Sequence, residues 1–230
     1  MVSLIIPTLN ESARVEEIAD LLCRFQYGEC IFVDGGSTDG TQAKLEYLAQ
    51  QYSNCRWINA PKGRGRQMNA GARIAKGEWL LFLHADTDLP AASYQHFLRL
   101  TQSLPILSAG AFTFRIAHKR KVYRYLEWYV AQRCRLLKLP FGDQAIFARR
   151  DVFDRLGGYR EDFPLMEDVE FVERINHDVG FHVIEAPVFT SARRYENDGY
   201  WRRACGNVYL QVLYRLGVHP ERLAKRYYRQ

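Results

Sequence analysis

Four short apolar runs in the first hundred residues, separated by helix-spaced segments, restrict this chain more than any other feature. Val2–Ile6 ends at Pro7, Cys30–Val33 runs into Asp34-Gly35-Gly36-Ser37-Thr38-Asp39-Gly40, Cys55–Ile58 follows, and Trp79–Leu83 is apolar throughout. Between them Val15, Ile18, Leu21, Leu22 and Phe25, then Ala43, Leu45, Leu48 and Ala49, then Met68–Ile74 follow helical spacing. Strand–helix alternation of this kind predicts a parallel sheet with helices on both faces. A strand buried on both sides has no polar face to show, and residues 79–83 read that way.

The pattern loosens after Pro105. Ala109–Arg115 and Ala145–Ala148 read as strands, and Val122–Leu137 as a basic amphipathic helix. Trp201, Cys205, Val208, Tyr209, Val212 and Leu216 predict a further helix stopped by Gly217, and Pro220 suits the first turn of a last one. No linker or internal repeat divides the chain. The expectation is one domain over 1–230, with a nucleotide-binding half (1–104) and a looser half (105–230).

Charge is uneven along the chain. The formal net charge is +6. Lys119, Arg120, Lys121, Arg124, Arg133, Arg135 and Lys138 face a single acid, Glu127. Arg202, Arg203, Arg215, Arg222, Lys225, Arg226 and Arg229 face only Glu221. The remainder is therefore acidic. Basic segments attract phosphates, nucleic acid or anionic lipid, or form solvated helix faces. The apolar runs fall far short of the ~20 residues that span a bilayer. The first residues lack the basic stretch of a signal peptide, so the expected location is the cytoplasm. The cysteines at 23, 30, 55, 134 and 205 show no metal spacing and fit reduced thiols.

In open α/β sheets, ligands sit beyond the carboxyl ends of the strands. Those ends carry Pro7-Thr8-Leu9-Asn10-Glu11, the 34–40 turn, and His84-Ala85-Asp86-Thr87-Asp88. Neither GxGxxG after the first strand nor GxxxxGK[ST] occurs, which disfavours a dinucleotide fold and a P-loop. Lys62-Gly63-Arg64-Gly65-Arg66 is basic and glycine-rich, as phosphate-binding loops and ordinary loops both are. His84, Asp86 and Asp88 alternate, so an extended chain would aim all three one way, as ligands of Mg²⁺ or Mn²⁺. The same residues also read as a helix cap at Asp86 and a solvated Asp88. Glu167-Asp168 stands at a predicted helix start, where acids serve as caps or present a general base.

The opening IIPTLNE, VDGGSTDGT, GRGRQMNAG, LHADTDLP and the long FGDQAIFARRDVFDRLGGYREDFPLMEDVEF, in this order and spacing, resemble family 2 glycosyltransferases of the GT-A fold. The resemblance covers about residues 2–200. It implies a Rossmann-like, mostly parallel mixed sheet flanked by helices, with C-terminal helices. It also implies inverting transfer of a sugar from a nucleotide diphosphate to an acceptor bound by the second half. By this resemblance Pro7, Thr8, Asn10 and Glu11 line the nucleoside pocket and Asp34 holds the base or ribose. Arg66 lies near the ribose and diphosphate, with Asn69 and Gly71 behind it. Asp86 matches the metal-binding aspartate of the family's DxD, whose first position is His84 here, with Asp88 as a further ligand. Asp168 matches the catalytic base, with Glu167 beside it. Ser191-Ala192-Arg193-Arg194-Tyr195 stands where processive members carry QxxRW. Only the arginine is kept, so processive synthesis is not expected, and Arg194 is assigned to the diphosphate or acceptor.

The implied partners are a nucleotide-diphosphate sugar, a divalent cation (Mg²⁺ or Mn²⁺) and an acceptor that the basic segments would suit if anionic. The aromatic-rich helix at 122–137 fits an anionic membrane surface, the sheet, or a second subunit in a homodimer. A sugar nucleotidyltransferase and a basic nucleic-acid-binding module are the competing readings. The latter leaves the acidic loops unexplained, so nucleic acid is not an expected partner.

Overall fold

The computed structural model describes residues 1–15 and 28–227, and the helix expected around Ile18–Phe25 lies outside them. Eight described strands form one sheet: β1 (Val2–Thr8), β2 (Glu29–Asp34), β3 (Cys55–Asn59), β4 (Trp79–Phe82), β5 (Thr87–Asp88), β6 (Ala109–Ile116), β7 (Ile146–Arg149) and β8 (His182–Thr190). Their order is β3-β2-β1-β4-β7-β6-β8-β5. The β3-β2-β1-β4 half is parallel, β7 is antiparallel to both neighbours, and β6 with β8 is parallel again. This is the mixed, mostly parallel sheet that the sequence predicts.

Nine described helices cover it: α1 (Thr41–Gln51), α2 (Arg64–Ile74), α3 (Ala91–Ser103), α4 (Val122–Leu137), α5 (Arg150–Arg155), α6 (Glu167–Asp178), α7 (Arg193–Asp198), α8 (Tyr200–Arg215) and α9 (Pro220–Tyr227). β1 and β4 are buried at every residue, which explains their unbroken apolar reading. One face of the sheet packs Leu4, Phe32, Leu81 and Phe147 against α1 and α3; the other packs Ile5, Val33, Leu80 and Ile146 against α2 and α6. Gly71 lets α2 approach the sheet, since a Cβ there would stand 2.5 Å from the Ile5 side chain.

β8 was not legible in the sequence. Its burial alternates, and Pro187 follows a register shift against Phe112 and Thr113 of β6. Helix α4 is tied to the end of β6 by buried Glu127, which accepts the Ile116 N–H at 2.9 Å and pairs with Arg124 at 3.0 Å and Arg115 at 3.2 Å. The lone acid of the basic segment is thus its anchor. Among the described residues no helix is long and apolar enough to cross a membrane.

Candidate active site

The loops after β1 and β2 are laced together. The Asn10 N–H donates to Ser37 Oγ at 2.8 Å, and Thr38 N–H returns to Asn10 Oδ1 at 2.9 Å. Glu11 N–H donates to Thr41 Oγ1 and Ser12 N–H to Asp39. Asn10 accepts a φ of 56° to do this, a conformation Asn tolerates better than most residues. Asp34 is fully buried and accepts hydrogen bonds from Gly36 N–H, Ser37 N–H, Ser37 Oγ–H and Gln42 Nε2–H. Burial alone would raise its pKa, but these donors bring it below the ordinary aspartate value. Asp34 therefore shapes its own turn with most of its lone pairs. Thr8 is buried, with its hydroxyl on Val33 O, and Pro7 lies within β1. Gln67 of α2 donates to the carbonyls of both Thr8 and Val33, fixing the two strand ends against each other.

Beyond β4 the chain does not stay extended. Residues 85 and 86 form a turn, closed by Thr87 N–H on His84 O at 3.0 Å. Ser191 N–H binds Asp86 O, and Arg14 Nε binds Ala85 O. The turn breaks the alternation expected of His84, Asp86 and Asp88. His84 and Asp86 line a cavity of about 520 Å³, while Asp88 is exposed on β5 and does not line it.

Asp168 lines the same cavity from the first turn of α6. Its Oδ2 accepts the Gly142 N–H at 2.7 Å and its Oδ1 the Val169 N–H at 2.9 Å. Gly142 brings two groups together: a Cβ there would lie 2.7 Å from His84 Nε2 and 3.2 Å from Asp168 Oδ2. Beside it stands Asp143, a site residue the sequence reading did not single out. Its Oδ1 is enclosed without a hydrogen-bond partner. Burial, reinforced by Asp168 and Asp86 and opposed by Arg133 and Arg64, pushes its pKa up to about 6. The FGDQ signature supplies the rest of this wall. Phe141 lies under the Arg133 guanidinium at 3.6 Å, and Gln144 donates to Phe112 O while accepting from Arg133.

The arginine of the glycine-rich loop that reaches the cavity is Arg64, not Arg66. Arg64 opens α2 and pairs through Nε with Glu167 at 2.6 Å; the Glu167 side chain is only 1% exposed. Burial raises the Glu167 pKa, against the pull of Arg64. Arg66 lies at the surface, its Nε on Glu161 O at 3.1 Å. Asn69 brackets Tyr159 by accepting its N–H and donating to its carbonyl. In the SARRY segment Arg193 approaches Glu11 at 3.6 Å, and the Arg194 side chain lies outside those described.

A cation at Asp86 and His84 would need help. Among the described residues no group of three His, Cys, Asp or Glu side chains is placed to hold a metal alone. Mg²⁺ and Mn²⁺ commonly bind through one or two carboxylates plus substrate phosphates and water, and this partial donor set in an acidic cavity fits that mode.

Comparison with known proteins agrees with this architecture. The sequence profile of glycosyl transferase family 2 matches residues 3–159. A PGL/p-HBAD biosynthesis glycosyltransferase of Mycobacterium tuberculosis is 31% identical over 176 residues, covering 74% of this chain and 68% of that protein. The glucosyl-3-phosphoglycerate synthase of M. tuberculosis, solved with Mn²⁺, UDP and glucosyl-3-phosphoglycerate, superposes with a TM-score of 0.66 at 16% identity. It covers 95% of this chain and 80% of that one. A Pyrobaculum calidifontis mannosyltransferase in complex with GDP-Man and Mn²⁺ gives 0.61 at 24% identity over 81% of this chain, which spans 54% of that protein. These likenesses establish the GT-A fold. With the family profile spanning most of its length, the chain belongs to glycosyl transferase family 2 and is a glycosyltransferase.

Proposed function

We propose that this enzyme moves a sugar from a nucleoside-diphosphate donor to an acceptor hydroxyl, with inversion, assisted by a divalent cation. The observation that carries this reading is that His84, Asp86, Asp143 and Asp168, from three separate segments, line one cavity beyond the carboxyl end of β4. Two solved relatives of the same fold hold Mn²⁺ with UDP or GDP-Man, which supports both donor class and cation.

The laced loops after β1 and β2, with Pro7, Thr8, Asn10, Glu11 and Asp34, form the nucleoside side. Asp86, with His84, would hold the cation against the diphosphate. Bound there, the ion stabilises the negative charge that grows on the leaving group. Arg64 adds a fixed positive charge in the same cavity. Asp168 accepts the proton of the attacking hydroxyl. The bond from the anomeric carbon to the acceptor oxygen forms as the bond to the diphosphate oxygen breaks, and nucleoside diphosphate leaves. One in-line displacement with no covalent sugar–enzyme intermediate inverts the anomeric centre. The two backbone N–H donors on Asp168 keep its carboxylate oriented toward the cavity rather than free to rotate.

A thermal-shift screen of nucleotide sugars, with and without Mn²⁺, tests the reading. A shift for one donor that grows with Mn²⁺, together with release of nucleoside diphosphate on turnover, is the expected result. Release of pyrophosphate from a nucleoside triphosphate instead would replace glycosyl transfer by nucleotidyl transfer.

A further inference from the structure

The catalytic cavity is acidic at one end only. Away from Asp86 and Asp168 its walls are mostly aromatic and aliphatic, with Tyr129, Val130, Tyr200, Val208 and Leu210 among them and Arg133, Arg203, Asn207 and Gln211 as polar exceptions. A smaller cavity of about 130 Å³ shares Tyr129, Phe141, Met166, Val169 and Val208 and prolongs this apolar groove between α4 and α8. A sugar or phosphate ester filling such a groove would leave many of its hydrogen bonds to water unreplaced. An apolar body would not.

The rim of the groove is equally unusual. In α8 and at its C-terminal cap the helically spaced residues Trp201, Val208, Tyr209, Val212 and Leu216 are 67%, 39%, 52%, 49% and 75% exposed. Leu210 is the one buried residue of that helix among those described. The apolar face that the sequence predicts is thus turned outward. Helix α4 buries Tyr123, Leu126 and Val130 but leaves Tyr125, Trp128, Leu136 and Leu137 in the open, with the Tyr125 and Trp128 rings stacked at 5.7 Å. Exposed Lys121, Arg135, Lys138, Arg202 and Arg215 stand on or next to these same two helices.

We propose that the acceptor is a membrane amphiphile: a hydroxyl-bearing head at Asp168 on an apolar body lying in the α4–α8 groove, drawn from an anionic bilayer on which the exposed stripes rest. This rests on the glycosyltransferase reading above and extends it to the class of acceptor. Apolar stripes flanked by Lys and Arg suit an anionic lipid surface. A second copy of the chain suits them less, because it would set like charges against each other and cap the entrance the acceptor must use.

The test uses the full chain with sedimenting vesicles of phosphatidylcholine, with or without phosphatidylglycerol. At least tenfold more protein should pellet with the anionic vesicles, and Trp128→Glu combined with Leu216→Asp, both exposed and outside the cavity, should abolish the difference. That variant should keep its donor-induced thermal shift, which separates loss of the lipid face from loss of fold or donor site. Cys205 is exposed and lines the groove, so its alkylation followed by mass spectrometry reports occupancy. Dodecyl glucoside should slow it at least tenfold more than methyl glucoside. The proposal falls if the chain ignores anionic vesicles, if the alkyl chain gives no added protection, or if sedimentation velocity shows a dimer in which Cys205 is already protected. A donor-induced shift in any of those cases leaves the glycosyltransferase reading standing, whereas its absence from the unaltered chain strikes that reading itself.

Discussion

The amide of Gly142 donates to the carboxylate of Asp168 at 2.7 Å, while the His84 ring lies against the same glycine. One backbone position thereby spaces the proposed base from the proposed cation side. Gly142→Ala would drive a methyl group into both. Overpacking of this kind costs about 1–3 kcal/mol, and displacing a reacting group by an ångström costs about 10²-fold in rate. Thermal unfolding and transfer kinetics on one preparation should show a folded protein with strongly reduced turnover. Unimpaired turnover would mean that the spacing is irrelevant to the chemistry.

Asp168→Asn keeps the shape of the side chain but can accept only one of the two backbone N–H groups, and it cannot take a proton. Transfer should fall by about 10²–10⁴-fold while donor affinity stays within a factor of a few. Single-turnover kinetics with pre-bound donor separates the two. A variant that transfers normally would take Asp168 out of the mechanism.

Asp86→Ala should remove the benefit of Mn²⁺ for donor binding rather than donor binding as a whole. Calorimetric titration of the donor with and without Mn²⁺ should give two similar affinities in the variant and two different ones in the parent. Asp88→Ala, exposed and outside the cavity, should retain the parent's Mn²⁺ response.

Arg64→Ala strands Glu167, whose side chain is 1% exposed, without its counter-charge. Breaking a buried pair costs about 3–5 kcal/mol, and the partial exposure of Arg64 reduces this to about 2–3. For a chain of this size the midpoint should fall by about 5–10 °C. Adding Glu167→Gln should recover much of the loss. Arg66→Ala should stay within about 0.5 kcal/mol of the parent, as surface changes generally do.

Asp143 makes a pH prediction with a definite sign. Its pKa is raised from an ordinary 3.8 to about 6 by burial, so the folded state resists its ionisation. The resulting destabilisation is absent below about pH 4, grows between about pH 4 and 6, and stays at its full value above that. In chelator-treated protein, Asp143→Asn should therefore be more stable than the parent by about 1–3 kcal/mol at pH 7.5. The two should converge near pH 4. Equal stability at pH 7.5 would mean that Asp143 is solvated rather than enclosed.

The first half of the fold was readable because parallel strands buried on both faces leave no polar alternation to misread. β8 was not, because its burial alternates and Pro187 interrupts its register. In the candidate site, Asp86 and Asp168, which their motifs mark, line one cavity. Asp88 was misplaced in space, because alternation holds only while the chain is extended and a turn at 85–86 ends it. The family resemblance points to Arg66, whereas Arg64, the first residue of α2, is the arginine of that loop that lines the cavity. A usable signal was present in Glu167: a buried acid beside another acid requires a cation, and the basic loop holds the nearest supply. Asp143 carries no mark in the sequence beyond its place in FGDQ, since burial of a loop carboxylate leaves no trace in spacing.

The contrast between the laced loops after β1 and β2 and the helix that borders the cavity has an evolutionary corollary. The loops after β1 and β2 hold each other through reciprocal side-chain and backbone bonds, so a substitution there disturbs several partners at once. Helix α8 buries Leu210 and packs Leu213 and Tyr214 against the core, while Trp201, Val208, Tyr209 and Val212 stay exposed. Mutation can rewrite that exposed face at little cost to folding, so the acceptor proposed for it is open to change in descendants of this chain while the laced loops stay unchanged.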